Sequence, residues 1–109
     1  MSFAISSNDV RIEERDGHTY LIASSRDEDG NYNHTELNLD ECLGNNEGSF
    51  NWSGEGFTGS AENIHLSIEG PEQLPILRAH LRDSEGNTHD RDVNLSERIV
   101  NDNGCLVFQ

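Results

Sequence analysis

The sequence predicts an all-β fold built from a twofold repeat, and three observations carry that expectation. The second half of the chain echoes the first, apolar residues alternate with polar ones over short runs, and turn residues separate the runs. At an offset of 54, Phe3 matches Phe57, Val10 matches Ile64 and Ile12 matches Leu66. A two-residue insertion around Gly70-Pro71 then raises the offset to 56. Beyond it Leu21 matches Leu77, Ala23 matches Ala79, Arg26-Asp27 matches Arg82-Asp83 and Gly30-Asn31 matches Gly86-Asn87. The densest stretch sets Leu37-Asn38-Leu39 against Val93-Asn94-Leu95, Leu43 against Ile99, Asn45 against Asn101, Gly48 against Gly104, Phe50 against Leu106 and Trp52 against Phe108.

Taken in order, Val10 and Ile12 alternate with charge and mark a first half-buried strand, closed by Asp16-Gly17. The turn Glu28-Asp29-Gly30-Asn31 precedes the alternation at Leu37 and Leu39. Asp40–Gly44 opens on an N-cap type and closes on glycine, so it reads as one turn of 3₁₀ or α helix. Asn46-Glu47-Gly48 is a hairpin turn before Phe50 and Trp52. Ser53-Gly54-Glu55-Gly56 joins the copies and is the expected hinge. The second copy alternates at Ile64, Leu66 and Ile68, then at Leu77, Ala79 and Leu81, and turns at Ser84-Glu85-Gly86-Asn87. Ser96–Val100 is its short helical piece, followed by the Asn103-Gly104 turn and the pair Leu106, Phe108. Turn spacing gives roughly five strands per copy, in one domain over 1–109 with repeats at 3–53 and 57–108.

Composition narrows the function. Seven basic against twenty-one acidic residues leave a net charge of −14, which repels phosphate and argues against nucleic-acid and anionic-membrane partners. Only 32% of residues are hydrophobic, a disorder-like value. Disordered acidic sequence has no reason to repeat an apolar pattern with glycines in register, so the repeat decides for a fold, with one core shared by two copies. The N-terminus shows no basic and apolar secretory pattern, and no apolar run is long enough for a membrane span. Cys42 and Cys105 fit neither metal spacing nor a disulfide framework, and read as reduced thiols of a cytoplasmic protein.

The segments Gly30–Asn33 to Leu37-Asn38-Leu39, Leu43–Trp52 with Phe57, Val93-Asn94-Leu95 and Ile99–Phe108 together resemble the cyanovirin-N homolog family of small carbohydrate-binding proteins. The carrying pattern, Asn-x-x-Gly followed by alternating apolar residues, occurs twice at matching offsets. The resemblance implies a pseudo-twofold, elongated molecule. Each half is a three-stranded sheet plus a hairpin, with strands exchanged between repeats. Mapped here, one half is 1–41 plus 98–109 and the other 42–97. The founding member has a disulfide in each half. The matching positions are Ser7 with Ser25 and Ala61 with Leu81, so neither bridge can form. Without the ~2–4 kcal/mol a disulfide adds, the chain must rely on its core, as disulfide-free fungal members do.

The same resemblance implies one shallow, metal-free sugar site in each half for mannose-type, α1,2-linked ends of high-mannose glycans. Vicinal hydroxyls are read by side chains that donate and accept in pairs. In the first half the matching positions are Ser2, Ser6, Arg26, Asp27, Glu28, Asn101, Asp102 and Asn103. In the second they are Asn45, Asn46, Glu47, Glu55, Ser60, Arg82, Asp83 and Ser84, with Gly56 and Gly59 where the family offers polar side chains. The first-half site is therefore the expected stronger one. All these residue types also serve hairpin turns.

Other motifs compete. Ser25–Gly30 with Glu36 approximates a calcium loop, but its first position is Ser, its flanks alternate as strands, and the repeat copy has Leu81 there. His18, His34, His65, His80 and His89 show no metal spacing, and His65 and His80 fall on the wet face of strands. Three glycosylation sequons, at Asn33, Asn51 and Asn94, have no signal peptide to support them. No nucleophile elbow or Cys/His pair indicates an enzyme. The expected protein is a cofactor-free lectin, mainly monomeric with a domain-swapped dimer accessible through the hinge. Its expected partners are mannose-containing oligosaccharides or glycoproteins. An interaction module for a basic partner and a calcium-binding domain are the alternatives.

Overall fold

The computed structural model describes residues 3–109. Ten strands follow in chain order: β1 (Ser7–Arg15), β2 (His18–Arg26), β3 (Tyr32–Asn38), β4 (Leu43–Asn46), β5 (Ser49–Trp52), β6 (Ala61–Glu69), β7 (Leu74–Arg82), β8 (Thr88–Asn94), β9 (Ile99–Asp102) and β10 (Cys105–Phe108). Antiparallel sheets β1-β2-β3 and β6-β7-β8 alternate with the hairpins β4-β5 and β9-β10. The fold is the all-β, twice-repeated one that the apolar alternation predicts.

The repeat reaches into the backbone. β1 shifts register between Asn8 and Arg11, and β6 between Glu62 and His65. At these bulges Asp9 and Asn63 take φ of 56° and 53°. Turn residues Glu47 and Asn103 do the same at 51° and 49°, each followed by a glycine. The short helical pieces are 3₁₀ turns at Leu39–Glu41 and Leu95–Glu97, shorter than expected. Their N-caps are not Asp40 and Ser96. Asn38 and Asn94 hold that position, accepting from the Asp40 and Ser96 amides at 3.0 and 2.9 Å. Two further 3₁₀ turns, Phe3–Ser6 and Phe57–Ser60, were not anticipated.

Each hairpin packs on the sheet of the other repeat. The Leu106 amide donates to Thr35 Oγ1 of β3 at 3.1 Å, and Arg91 Nε of β8 donates to the Gly48 carbonyl at 2.9 Å. One hydrophobic cluster runs through both repeats, from Phe3, Leu21 and Leu39 to Phe57, Leu77, Leu95 and Ile99. Phe57 meets Phe50 edge-on at 5.6 Å, and Trp52 stacks on Phe108 at 5.8 Å, with Arg98 over the Phe108 ring. The molecule is elongated, measuring 50 × 29 × 21 Å.

Near the linker lies a buried carboxylate. Asp40, 4% exposed, accepts from the Thr19 amide at 2.7 Å, the Thr58 amide at 2.9 Å and Thr58 Oγ1 at 2.7 Å. Thr19 Oγ1 lies 2.7 Å from Thr58 Oγ1 and completes the chain of donors. The linker itself is folded tightly: Gly44 bridges Gly56, the Gly56 amide donates to the Asp40 carbonyl at 2.9 Å, and Gly54 lies directly on Gly44.

Ser7 and Ser25 are cross-strand partners with hydroxyl oxygens 2.7 Å apart, and Ala61 faces Leu81. The two cysteines are free: Cys105 is exposed, and burial pushes the Cys42 thiol up to about 11. Dithiothreitol is expected to leave the melting temperature unchanged; a drop of several degrees in a calorimetric scan would contradict this bonding.

Candidate functional site

Two polar clusters, one per half, occupy matching positions. In the first, the β9-β10 turn meets the β2-β3 turn and the end of the 3₁₀ turn Phe3–Ser6. Asn101 Nδ2 donates to Ser6 Oγ and to the Arg26 carbonyl, both at 3.0 Å, and Asn101 Oδ1 accepts from the Gly104 amide at 2.8 Å. Asn103 Oδ1 accepts from the Glu28 amide at 2.9 Å. Asp27 turns inward on its own hairpin, accepting from the Asp29 and Asn31 amides at 2.9 Å and from Asn33 Nδ2 at 2.8 Å. Those donors, Asn33 foremost, hold its carboxyl below the usual range. Arg26, Glu28, Asp102 and Asn103 are exposed. Ser2 lies outside the described residues.

The second cluster repeats the first. Asn45 Nδ2 donates to Ser60 Oγ and to the Arg82 carbonyl, both at 2.8 Å, and Asn45 Oδ1 accepts from the Gly48 amide at 2.8 Å. Glu47 Oε2 accepts from Ser84 Oγ at 2.8 Å, clasping the two turns as Asn103 and Glu28 do opposite. Asp83 accepts from the Glu85 and Asn87 amides at 2.9 and 3.0 Å, and His89 Nε2 lies 2.8 Å from its Oδ2. The His89 bond is the main reason that its carboxyl is held low. Asn46 is exposed on the same turn. Glu55 stands apart: its backbone lies beside Gly44 in the linker, and no hydrogen bond among the described residues ties it to the Asn45 cluster.

Both asparagine amides are thereby engaged structurally. Each uses its two N–H donors and one of two acceptor lone pairs, which leaves one lone pair per amide for a ligand. Truncating either asparagine removes three hydrogen bonds and is expected to cost stability.

The CVNH domain family matches residues 3–107. The chain belongs to the CVNH family. A cyanovirin-N homolog of Neurospora crassa is 50% identical over 105 residues, spanning 95% of both chains. The solution structures of a designed cyanovirin-N homolog lectin superpose with a TM-score of 0.90 at 49% identity, covering all of both chains. Two sugar-bound structures share the fold alone. The microvirin:mannobiose complex is 22% identical with a TM-score of 0.83, over 99% of this chain and 98% of that one. A MoCVNH3 variant in complex with (N-GlcNAc)4 is 24% identical with a TM-score of 0.81, over 98% and 96%.

Within this CVNH chain the two clusters differ in detail. Arg82 Nη2 is held by Glu62 Oε1 at 2.9 Å, whereas the Arg26 guanidinium has no hydrogen bond or ion pair among the described residues. Gly56 and Gly59 border the second cluster with open space where a side chain would stand. The residues that hold the turns from behind, Asn33 and Thr35 in one half and His89 and Arg91 in the other, were missed. They lie at the same offset of 56 as the asparagines, and that register was the available signal.

The Asp27–Glu36 segment is a β2-β3 hairpin. Arg15 holds Glu36 with two bonds of 2.9 Å and lowers its carboxyl to about 2. Asp27 is taken up by amides, so a cation would have to displace existing partners. Among the described residues no three His, Cys, Asp or Glu side chains converge as a metal site.

Proposed function

We propose that this CVNH chain is a metal-independent lectin, a binding protein rather than an enzyme, for mannose-type glycans with α1,2-linked ends. The observation that supports this most is the twofold Asn-centred clasp, which brings polar turns of two hairpins to one exposed edge in each half. Exposed amides, carboxylates and a guanidinium offer the paired donors and acceptors that vicinal hydroxyls require. Such shallow, wet surfaces give modest affinity per site. We further infer a reducing cytoplasmic setting, since serines pair where the family's first disulfide stands.

The first-half cluster is the stronger site in this reading, because Arg26 is available and the second half has glycines at two polar positions. Losing one neutral hydrogen bond costs about 0.5–1.5 kcal/mol, so two missing contacts weaken a site roughly tenfold to a hundredfold. A glycan array with and without EDTA should show EDTA-insensitive binding to α1,2-mannosides. Silence on every glycan would favour an interaction module on the same fold, and binding to N-acetylglucosamine oligomers alone would replace the sugar class. In an NMR titration with α1,2-mannobiose, Asn101→Ala should remove most binding while Asn45→Ala does little. Each variant should unfold somewhat earlier than the parent, with circular dichroism confirming the native fold. The reverse order would overturn the ranking of the halves.

A further inference from the structure

Asn33 and His89 occupy the same place in the two halves, 56 residues apart. Each bonds the aspartate that organises its turn, Asn33 with Asp27 and His89 with Asp83, both at 2.8 Å. Each also lies against the glycine of the facing hairpin. A Cβ at Gly104 would stand 2.7 Å from Asn33 Nδ2, and a Cβ at Gly48 would collide with the His89 ring. These side chains are wedged between the two turns of their cluster. In one half the wedge is a neutral amide; in the other it is an imidazole.

We propose that His89 is a positioning residue of the second cluster, and that its protonation makes the turn pair of that half tighten in acid while the first half does not respond. The functional meaning of this rests on the carbohydrate reading. Histidine is the side chain whose charge ordinarily changes between about pH 5 and 8. Asp83 is ionised, so the bond from the neutral ring already ends on a charge; protonating the imidazole turns it into an ion pair, charged on both sides, and strengthens it. Asp83 also organises the 83–87 turn through the Glu85 and Asn87 amides, so a firmer His89–Asp83 bond fixes Ser84, which Glu47 grips from the other hairpin.

The charged groups around the ring are few. Asp83 faces it directly from the β7-β8 turn, and Glu47 lies on the β4-β5 turn but is occupied by Ser84. Arg91, on the same strand, carries a positive charge, and its Nε donates to the Gly48 carbonyl. The neighbouring Asp90 pairs with His80 at 2.7 Å on the outer face. Asp83, held low chiefly by its bond from His89, stays anionic across pH 5 to 8.

The Gly48 and Gly104 amides are matched reporters, since each donates to its cluster asparagine at 2.8 Å. Hydrogen exchange of the ligand-free full chain is measured from pH 5 to 8, and the protection of Gly48 is divided by that of Gly104 to cancel intrinsic pH effects. The ratio should fall about twofold to fivefold over this range, the worth of a partly exposed ion pair. His89→Asn, which copies Asn33, should make the ratio flat; His89→Gln is the second variant if the first fails to fold. A flat ratio in the parent, or an unchanged slope in the variants, overturns the proposal. Titration with α1,2-mannobiose separates the two ideas. If the ratio behaves as stated but the sugar binds neither half, His89 is supported and the carbohydrate reading fails.

Discussion

Replacing Asp40 with alanine is expected to destabilise the fold by about 3–5 kcal/mol, one of the two largest effects in the chain. The carboxylate accepts from two backbone amides and the Thr58 hydroxyl at 2.7–2.9 Å in a site that is 4% exposed. Truncation leaves the Thr19 and Thr58 amides buried without an acceptor, and each orphaned group costs about 1–3 kcal/mol. A cavity adds to that. Asp40→Asn retains one carbonyl acceptor and should lose clearly less. Urea unfolding of the three proteins measures the order, and a loss below about 1 kcal/mol for the alanine variant would mean that water replaces the carboxylate.

The second large effect is expected at Gly54, and it is read in assembly state. A Cβ there would meet Gly44 Cα at 2.9 Å and Gly44 N at 3.0 Å. Both atoms are backbone and held by hairpin β4-β5, so they cannot step aside as a side-chain tip can. Overpacking of this kind costs about 1–3 kcal/mol. Gly54→Ala should relieve the strain by opening the linker between the repeats. The same contacts can then form between two chains, with exchanged repeats and no compact linker. The dimer fraction in multi-angle light scattering should rise roughly tenfold to a hundredfold over that of the parent at the same concentration. Gly59→Ala, where nothing lies within 4 Å of the new methyl, is the control and should change neither mass nor stability. A monomeric Gly54→Ala with an unchanged melting temperature would show that the linker yields without opening.

Strands and hairpins were legible because their signals are local: alternation at Leu77, Ala79 and Leu81, and glycines at the turn positions, report directly on pleat and φ. The 3₁₀ turns at Phe3–Ser6 and Phe57–Ser60 were not, because a four-residue turn has no room for a period, and Gly56 offers no side-chain cap. Asp40 read as a helix cap since its donors, Thr19 and Thr58, are 21 and 18 residues away and come together only through tertiary packing. In the candidate site, Asn45 and Asn101 stood out through the repeat. Asn33 and His89 share the same register but not the same residue type, and a polar residue on a half-wet strand carries no mark of the turn it supports.

The crossing of each hairpin to the other repeat's sheet makes the two copies share ownership of both clusters. Asn101 grips the Arg26 carbonyl, and Asn45 grips that of Arg82, so each polar cluster takes its asparagine from one repeat and its receiving turn from the other. Each copy therefore owns half of both surfaces: its asparagine turn serves one cluster and its receiving turn the other. Within this fold neither repeat completes a cluster by itself, so separating the repeats would dismantle both surfaces together.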